Sequence, residues 1–313
     1  QGNSRGDRDM ITYFPTPYPD ELLYSLFARY YAKTGHLAYI YAAEDLYVKR
    51  TTRPDVEFIN ELRDEVITIL TKDATMEDVV QNHTMFPYYG RFLKPERRKK
   101  AFNALVSMKG NYHNLLSIPV RGIGYLRYCP LCVKEDKEKY GETYWHRMHQ
   151  MAGVDICPEH FCKLQNSGVA ISSKQSPCLV TAEEEVREFS YLYIEENEKR
   201  KSLVKYISSV FQSPVDITNS VSVGDFLHSK LYGTKYVSRR GEQRNMTVLF
   251  EDFTKYYKNI PDIPLKEPWQ IEKIYTNDRY NTKEICQLAT FLNIFPDELT
   301  NMKLPDKAQH QLF

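Results

Sequence analysis

The sequence has few cysteines and few glycines, and these scarcities exclude familiar classes of protein. Six cysteines among 313 residues are too few for a disulfide scaffold, and clustered pairs are typical of a metal site in a reducing cytoplasm. The 13 glycines form no phosphate-cradling loop, and no His-Glu-x-x-His motif is present. The chain therefore lacks the sequence marks of a P-loop nucleotide-binding protein or a zinc protease.

Long apolar runs are also missing. The longest falls far short of the roughly 20 residues that cross a bilayer. The polar segment 1–9 is followed by no apolar signal sequence. We predict that residues 1–9 are the remnant of an expression tag, that Met10 is the native start, and that the protein is cytoplasmic.

The net charge of +1 gives no indication for or against nucleic-acid binding, but the charges are unevenly distributed. Basic residues gather in 94–100 and 235–244, and an acidic block occupies 183–198. Such runs are either solvated faces or contacts for phosphates and partners. The sequence alone leaves both interpretations open.

Helical patterns dominate the N-terminal part. Asp20 is placed to cap a helix whose apolar residues recur at helical spacing as far as Gly35, a typical stop. Residues 36–48 and 56–72 repeat the pattern, with a break at 50–54. Three short helices predict either a helix-turn-helix arrangement or a plain helical bundle.

Later segments are also mostly helical. Residues 76–118 and 182–212 predict further helices, 144–151 a short helix or strand, and 166–182 a polar loop. In 282–299 two helical patterns flank a turn, where Asn293 replaces the usual glycine because asparagine tolerates the left-handed conformation. We interpret this segment as the start of a second helix-turn-helix unit.

The spacing of four metal-binding residues is the most informative signal. Cys129 and Cys132 form a Cys-x2-Cys pair, and 24 residues later Cys157 and His160 form Cys-x2-His. Three thiolates and one imidazole complete a tetrahedral site for Zn²⁺. Such a site leaves no position for water or substrate, so the predicted zinc is structural.

Two other ligand sets stay open at this point. His146 and His149 also follow the first cysteine pair, although their spacing is shorter than the roughly three to five residues of a Cys2His2 finger. Cys162 is also placed to replace His160 as the fourth ligand.

A set of short motifs lies in a fixed order around the zinc segment. They combine proline, aromatic and charged residues, and they are Phe14-Pro15-x-Pro17-Tyr18, Glu21-Leu22-x-Tyr24-Ser25, Ala28-Arg29, His83-Thr84-x-Phe86-Pro87, Arg97-Arg98, Arg127-Tyr128-Cys129-Pro130-x-Cys132, Tyr140-Gly141-Glu142-x-x-Trp145 and Cys157-Pro158-x-His160. As an ordered set, these motifs resemble the TniQ/TnsD family of transposon target-site selectors, and its TnsD-like members most. The resemblance covers residues 13–165, and because longer members continue beyond this length, we expect a C-terminal truncation.

The resemblance implies a function. It implies a bacterial, nucleoid-associated protein that binds a specific attachment site on double-stranded DNA. Such a protein recruits a TnsC-like AAA+ ATPase regulator, which engages the transposase, and it is not itself an enzyme. The resemblance also assigns the zinc ligands to Cys129, Cys132, Cys157 and His160.

Candidate DNA contacts are chosen on charge, because lysine and arginine supply most contacts to phosphates. They are Lys49, Arg50, Arg53, Arg97, Arg98, Lys99, Lys100, Arg239, Arg240 and Arg244. Residues of the N-terminal motif, such as Tyr18, Glu21 and Arg29, are expected instead to hold the fold or a partner interface.

The predicted fold is mainly α, with helix-turn-helix-type helical domains flanking a small Cys3His zinc-binding module. We place an N-terminal TniQ-like domain at 10–120 and the zinc-finger module at 121–165. A linker and helical segment follow at 166–220, and a C-terminal helical domain at 221–313.

Two other functions compete with this one. A TniQ-like adaptor would join a targeting complex to the transposition machinery without reading DNA itself. A metal-dependent nuclease or hydrolase would need an open metal site and a positioned base, for which the sequence has no motif.

Overall fold

The computed structural model describes residues 11–116, 118, 124–171, 178–186, 192–238, 243–260, 265–276 and 281–305. This part of the chain is mainly helical, as predicted. Short 3-10 helices cover Tyr112–Asn114 and Met148–Gln150, and the strands are β1 Tyr125–Tyr128 and β2 Gln165–Ala170. The α-helices in chain order are α1 Leu23–Thr34, α2 Tyr39–Leu46, α3 Asp64–Leu70, α4 Met76–His83, α5 Phe86–Gly90, α6 Pro95–Val106, α7 Pro130–Tyr140, α8 Ala182–Glu185, α9 Glu198–Gln212, α10 Val223–Ser229, α11 Met246–Tyr256, α12 Pro268–Thr276, α13 Thr282–Phe291 and α14 Pro296–Thr300.

The chain forms two compact units, each built from separate segments of sequence. The first contains residues 1–84, 122–147 and 165–189, and the second contains 85–121, 148–164 and 190–313. These units are defined by packing, whereas the predicted boundaries at 120, 165 and 220 describe successive sequence modules. That division, including the tag remnant at 1–9 outside the described residues, stays a prediction.

The first unit is centred on α1, whose residues from Leu23 to Tyr30 are all buried. Gly35 ends the helix at φ 68°, which confirms the predicted stop. The predicted cap was wrong, because α1 begins at Leu23 without a side-chain cap and Asp20 itself lies at φ 56°. The Asp20 carboxylate instead accepts a 3.2 Å hydrogen bond from Nε of Arg147.

The predicted helix over 56–72 is shorter than expected and covers only Asp64–Leu70. The preceding residues pair with the chain that leaves α2. The amide of Val48 donates to the carbonyl of Glu61, and the amide of Arg63 donates to the carbonyl of Leu46. These long-range hydrogen bonds hold 61–63 extended and prevent an earlier helix start.

The first unit also contains a two-stranded antiparallel sheet. Strands β1 and β2 pair with Tyr128 opposite Gln165 and Tyr125 opposite Ala170. The carboxylate of Glu185 in α8 accepts a hydrogen bond from the amide of Gly168 in β2. Residues 166–170, the start of the segment interpreted as a polar loop, form a strand because they pair with β1. The sequence pattern missed this strand because β1 lies far away in sequence.

The second unit has α9 at its centre, packed against α5, α13 and α14. The buried guanidinium of Arg91 donates to the carbonyls of Ser213 and Pro214, at the end of α9. These carbonyls have no partners within the helix, so Arg91 serves as a C-terminal cap. Burial lowers the pKa of Arg91 to about 10.

The C-terminal pair of helices was predicted correctly. Helix α13 ends at Phe291, Asn293 adopts φ 56° in the turn, and α14 begins at Pro296. The amide of Ile294 closes the turn by donating to the carbonyl of Ala289. Whether this pair acts as a DNA-reading helix-turn-helix stays a prediction.

Among the residues that the structure describes, no helix combines the length and apolar character needed to cross a membrane.

Candidate metal centre

The first cysteine pair lies at the start of α7. Cys129 is the N-cap residue, Pro130 occupies the first helical position, and Sγ of Cys129 accepts a 3.4 Å hydrogen bond from the amide of Cys132. Both cysteines are buried. Pro130 suits this position because its fixed φ matches the first turn of a helix. The positive end of the helix dipole favours the thiolate form of a capping cysteine.

The second pair lies in a tight turn. The amide of Cys157 donates to the carbonyl of Cys162, and the amide of Phe161 donates back to the carbonyl of Cys157. Phe161 adopts φ 55° to close this turn. Within it, Sγ of buried Cys157 lies 3.8 Å from Nδ1 of half-buried His160.

All four predicted ligands come together. One ligand atom each from Cys129, Cys132, Cys157 and His160 lies within 4.8 Å of the others. Sulfurs bound at about 2.3 Å in a tetrahedral zinc site lie about 3.8 Å apart, so only a small contraction is needed. The donor set fits Zn²⁺, which would stabilise the fold around it and, with four protein ligands, would keep no open position for substrate.

The competing ligand sets are not formed. Nε2 of His146 lies 2.9 Å from the Asp136 carboxylate, and the imidazole stacks on Tyr144 with ring centroids 4.1 Å apart. Nε2 of buried His149 does approach Sγ of Cys157, at 3.8 Å. Within the described ranges, however, the metal-binding group contains neither His146 nor His149, and it does not contain Cys162.

The N-terminal motif forms a buried ion-pair network in the first unit. The guanidinium of Arg29 donates to the carboxylates of Glu21 at 2.9 Å and Glu142 at 3.0 Å, and it lies 3.7 Å above the ring of Tyr18. The Ser25 hydroxyl also donates to Glu21. Burial raises the pKa of Glu21 to about 7, although Arg29 opposes this shift. These contacts agree with the expected structural role of the motif.

Sequence reasoning did not select Arg147 or Asp136, two further buried charged residues of the first unit. Nη1 of Arg147 donates to the carbonyls of Gln81 and Thr84, and its Nε donates to Asp20. Burial lowers the pKa of Arg147. A buried charge needs partners, but spacing does not reveal partners that lie more than 60 residues away.

The candidate DNA contacts of the first unit lie on one exposed segment. Lys49, Arg50 and Arg53 follow α2 and are exposed. Nη1 of Arg50 lies 3.4 Å from the Glu44 carboxylate. This short basic segment is accessible to either a phosphate or an acidic protein.

The basic run of α6 divides between surface and core. Lys99 and Lys100 are exposed, and partly exposed Arg97 donates to the carbonyls of Leu115 and Asn114. Arg98 is only 2% exposed and donates to the carbonyls of Arg91, Leu93 and Asn219. In this conformation Arg98 supports the fold, and a phosphate has little access to it.

The last basic run is described only in part. Arg239 and Arg240 lie outside the described residues. The guanidinium of Arg244 pairs with the Glu272 carboxylate and lies 4.7 Å above the ring of Tyr275. Part of its charge is therefore already neutralised within the second unit.

The comparisons with known proteins define the class of this chain. Residues 12–164, which include all four candidate zinc ligands, match the model of the TniQ family. The chain is also 28% identical over 152 residues to the transposon Tn7 transposition protein TnsD of Escherichia coli. This match covers 47% of the chain but only 30% of that relative. Together the two findings support a TniQ/TnsD-family protein, as the motifs predicted.

Proposed function

We propose that this chain selects a target site on double-stranded DNA for transposon insertion and recruits a TnsC-like AAA+ ATPase regulator to it. The observation that carries the proposal is the TniQ domain at 12–164, together with its similarity to TnsD. The transposase, reached through the ATPase, would perform the strand chemistry.

The metal centre supports a role without catalysis. Cys129, Cys132, Cys157 and His160 would fill all four tetrahedral positions of Zn²⁺, whereas catalytic zinc keeps one position for water or substrate. Bound zinc would therefore act as a structural element. The nuclease alternative gains no support from this donor set.

The proposed DNA surface uses exposed basic side chains. Lys99 and Lys100 on α6 are accessible to phosphates. By sequence, the basic run 235–244 adds a second group of positive charges to the proposal, with Arg239 and Arg240 outside the described residues. Arg98 is left out because it is buried. Contacts of this kind set the position of a protein on DNA and do not by themselves read its sequence.

A second candidate function, that of an adaptor, is favoured by the charge of two helices. The helices that would follow the turn in the two predicted helix-turn-helix units are α3 and α14. Their first turns carry Asp64 and Glu65, and Asp297 and Glu298. Carboxylates at these positions repel phosphates, which would suit a protein that leaves DNA reading to another component.

A reconstituted insertion assay tests the proposal. Donor DNA, transposase and ATPase are mixed with genomic target DNA, with and without this protein, and the insertion positions are sequenced. We expect insertions to gather at one position only when the protein is present. Unchanged, scattered insertions would refute target selection, and gathering that needs an additional targeting complex would establish the adaptor.

A further inference from the structure

Helix α2 has one buried side and one exposed apolar side. Ala42, Ala43 and Leu46 are fully buried against the first unit. Leu37, directly before the helix, is 96% exposed, and Ile40 and Tyr41 in its first turn are 39% and 51% exposed. We call Leu37, Ile40 and Tyr41 the α2 apolar surface.

This surface is held in place by local contacts. The ring of His36 stacks on the ring of Tyr41 with centroids 6.4 Å apart, so the loop before α2 lies against its first turn. His36 is in turn 2.8 Å from the Asp45 carboxylate, which also accepts a hydrogen bond from the Tyr30 hydroxyl. The exposed apolar side chains therefore project from an ordered part of the unit.

Basic residues border the apolar surface. The hydroxyl of Tyr39, the first residue of α2, donates a 2.6 Å hydrogen bond to the carbonyl of Thr52. This bond and the 3.4 Å contact of Arg50 with Glu44 of α2 hold the segment that carries Lys49, Arg50 and Arg53 against the helix. An apolar group of three large side chains thus adjoins a basic border within one unit.

The composition of this region favours a protein, rather than DNA, as its binding partner. Scattered apolar side chains are normal on a surface, but a group of them marks an interaction site. Phosphates would engage the basic border and leave Leu37 and Ile40 in water. A protein segment with apolar side chains flanked by carboxylates matches both parts, since the apolar contacts supply affinity and the charges guide association.

The nearby Glu44 does not weaken this match. It contacts Arg50 at 3.4 Å, and the Arg50 side chain is 65% exposed. Exposed pairs of this kind contribute little free energy. A partner carboxylate can replace Glu44 beside Arg50 at small cost.

We infer that the α2 apolar surface and its basic border are the docking site of the recruited ATPase regulator, through an apolar segment of that protein edged by acidic residues. This inference rests on the proposed function, which requires that ATPase. It also reassigns Lys49, Arg50 and Arg53 from DNA contacts to protein contacts.

Binding of the purified ATPase to the full chain tests the inference. The double variant Leu37→Asp/Tyr41→Asp changes the apolar part, and Arg50→Glu/Arg53→Glu changes the border. Leu304→Asp is the matched control, because Leu304 is also an exposed apolar side chain, at 49%, and lies outside both candidate helix-turn-helix units. Circular dichroism of each variant verifies folding, and DNA binding is measured in parallel.

We expect the apolar variant to lose about tenfold or more in affinity for the ATPase, with unchanged DNA binding and an unaffected control. The border variant should associate with the ATPase more slowly, and the salt dependence of its association rate should be smaller.

Unchanged ATPase binding by both variants would overturn the inference while leaving recruitment intact. If both lost DNA binding and kept ATPase binding, the surface would belong to DNA. Sedimentation that showed self-association lost in the apolar variant, with ATPase binding retained, would assign the surface to a second copy. Failure of the wild-type chain to bind the ATPase would refute recruitment itself, and thus the proposed function.

Discussion

The guanidinium of Arg29 donates a 2.9 Å hydrogen bond to the carboxylate of Glu21, and the two side chains are only 4% and 0% exposed. The pair joins the residue just before the N-cap of α1 to the second half of the helix, and Arg29 extends the network to Glu142. In a protein interior each charge of such a pair depends on the other, because neither retains water.

Substitution of Arg29 should therefore strongly destabilise the folded protein. We expect Arg29→Met to lower the free energy of unfolding by about 3 kcal/mol or more, since the Glu21 carboxylate would lose its ionic partner. Lys33→Met is the matched control, because Lys33 pairs with Glu142 but is 41% exposed, and it should cost less than about 1 kcal/mol. Urea unfolding of both variants provides the measurement, and equal losses would show that burial of the pair is unimportant.

The Glu21 carboxyl should make stability depend on pH. Its pKa of about 7 in the folded protein lies above the ordinary value of 4.5, so the folded state holds this proton more tightly than the unfolded state. The stability that protonation contributes is complete below the unfolded pKa and is lost as the pH rises through the folded pKa.

We compare wild type with Glu21→Gln, which does not titrate at this position. Between about pH 5 and about pH 8, the unfolding free energy of wild type should fall relative to the variant, by at most about 3 kcal/mol. Both proteins keep the same metal ligands, so their contribution cancels in the difference. Parallel pH profiles would show that Arg29 holds Glu21 fully ionised throughout.

Zinc content should distinguish variants of the four assigned ligands from variants of other cysteines and histidines. Cys132→Ser and Cys157→Ser should each lose the zinc found by elemental analysis and unfold at lower urea concentration, because the tetrahedral set is incomplete. Cys178→Ser is the control, since Cys178 is exposed and outside the group.

The histidines provide the matching comparison. His160→Gln should release zinc, whereas His146→Gln should retain it, because His146 is engaged with Asp136. Full zinc content in both cysteine variants would refute the ligand set.

The basic run of α6 gives a prediction for DNA binding. Lys99→Glu/Lys100→Glu should weaken binding and reduce the slope of log affinity against log salt by about 2, as expected for two lost phosphate contacts. Lys134→Glu is the control, since this lysine is also exposed, at 73%, and is not a candidate contact. An unchanged slope in the double variant would remove α6 from the DNA surface. The same measurement on Arg239→Glu/Arg240→Glu tests the second basic run.

Local signals predicted the parts of this protein that depend on neighbouring residues. The two Cys-x2 pairs, the stop at Gly35 and the turn at Asn293 all follow from spacing or from backbone preference, and the structure contains each. Features set by distant contacts were missed. Asp20 interacts with Arg147 instead of capping α1, and β2 is a strand only because β1 pairs with it.

The basic residues illustrate the same limit. Arg98 and Lys99 are adjacent in one charged run, yet the first is buried beneath carbonyl acceptors and the second is exposed. The helical period determines which of the two side chains faces the core. A count of charges in the sequence does not contain this information. Placement of the proposed DNA and partner surfaces therefore required the structure.

The most direct test of target selection is a footprint of the protein on genomic DNA fragments, at physiological salt and with competitor DNA. The proposed function predicts one discrete protected site, whose protection weakens in Lys99→Glu/Lys100→Glu and persists in Leu37→Asp/Tyr41→Asp. Uniform weak binding, or no protection on any fragment, would contradict direct selection of DNA by this chain and would favour the adaptor.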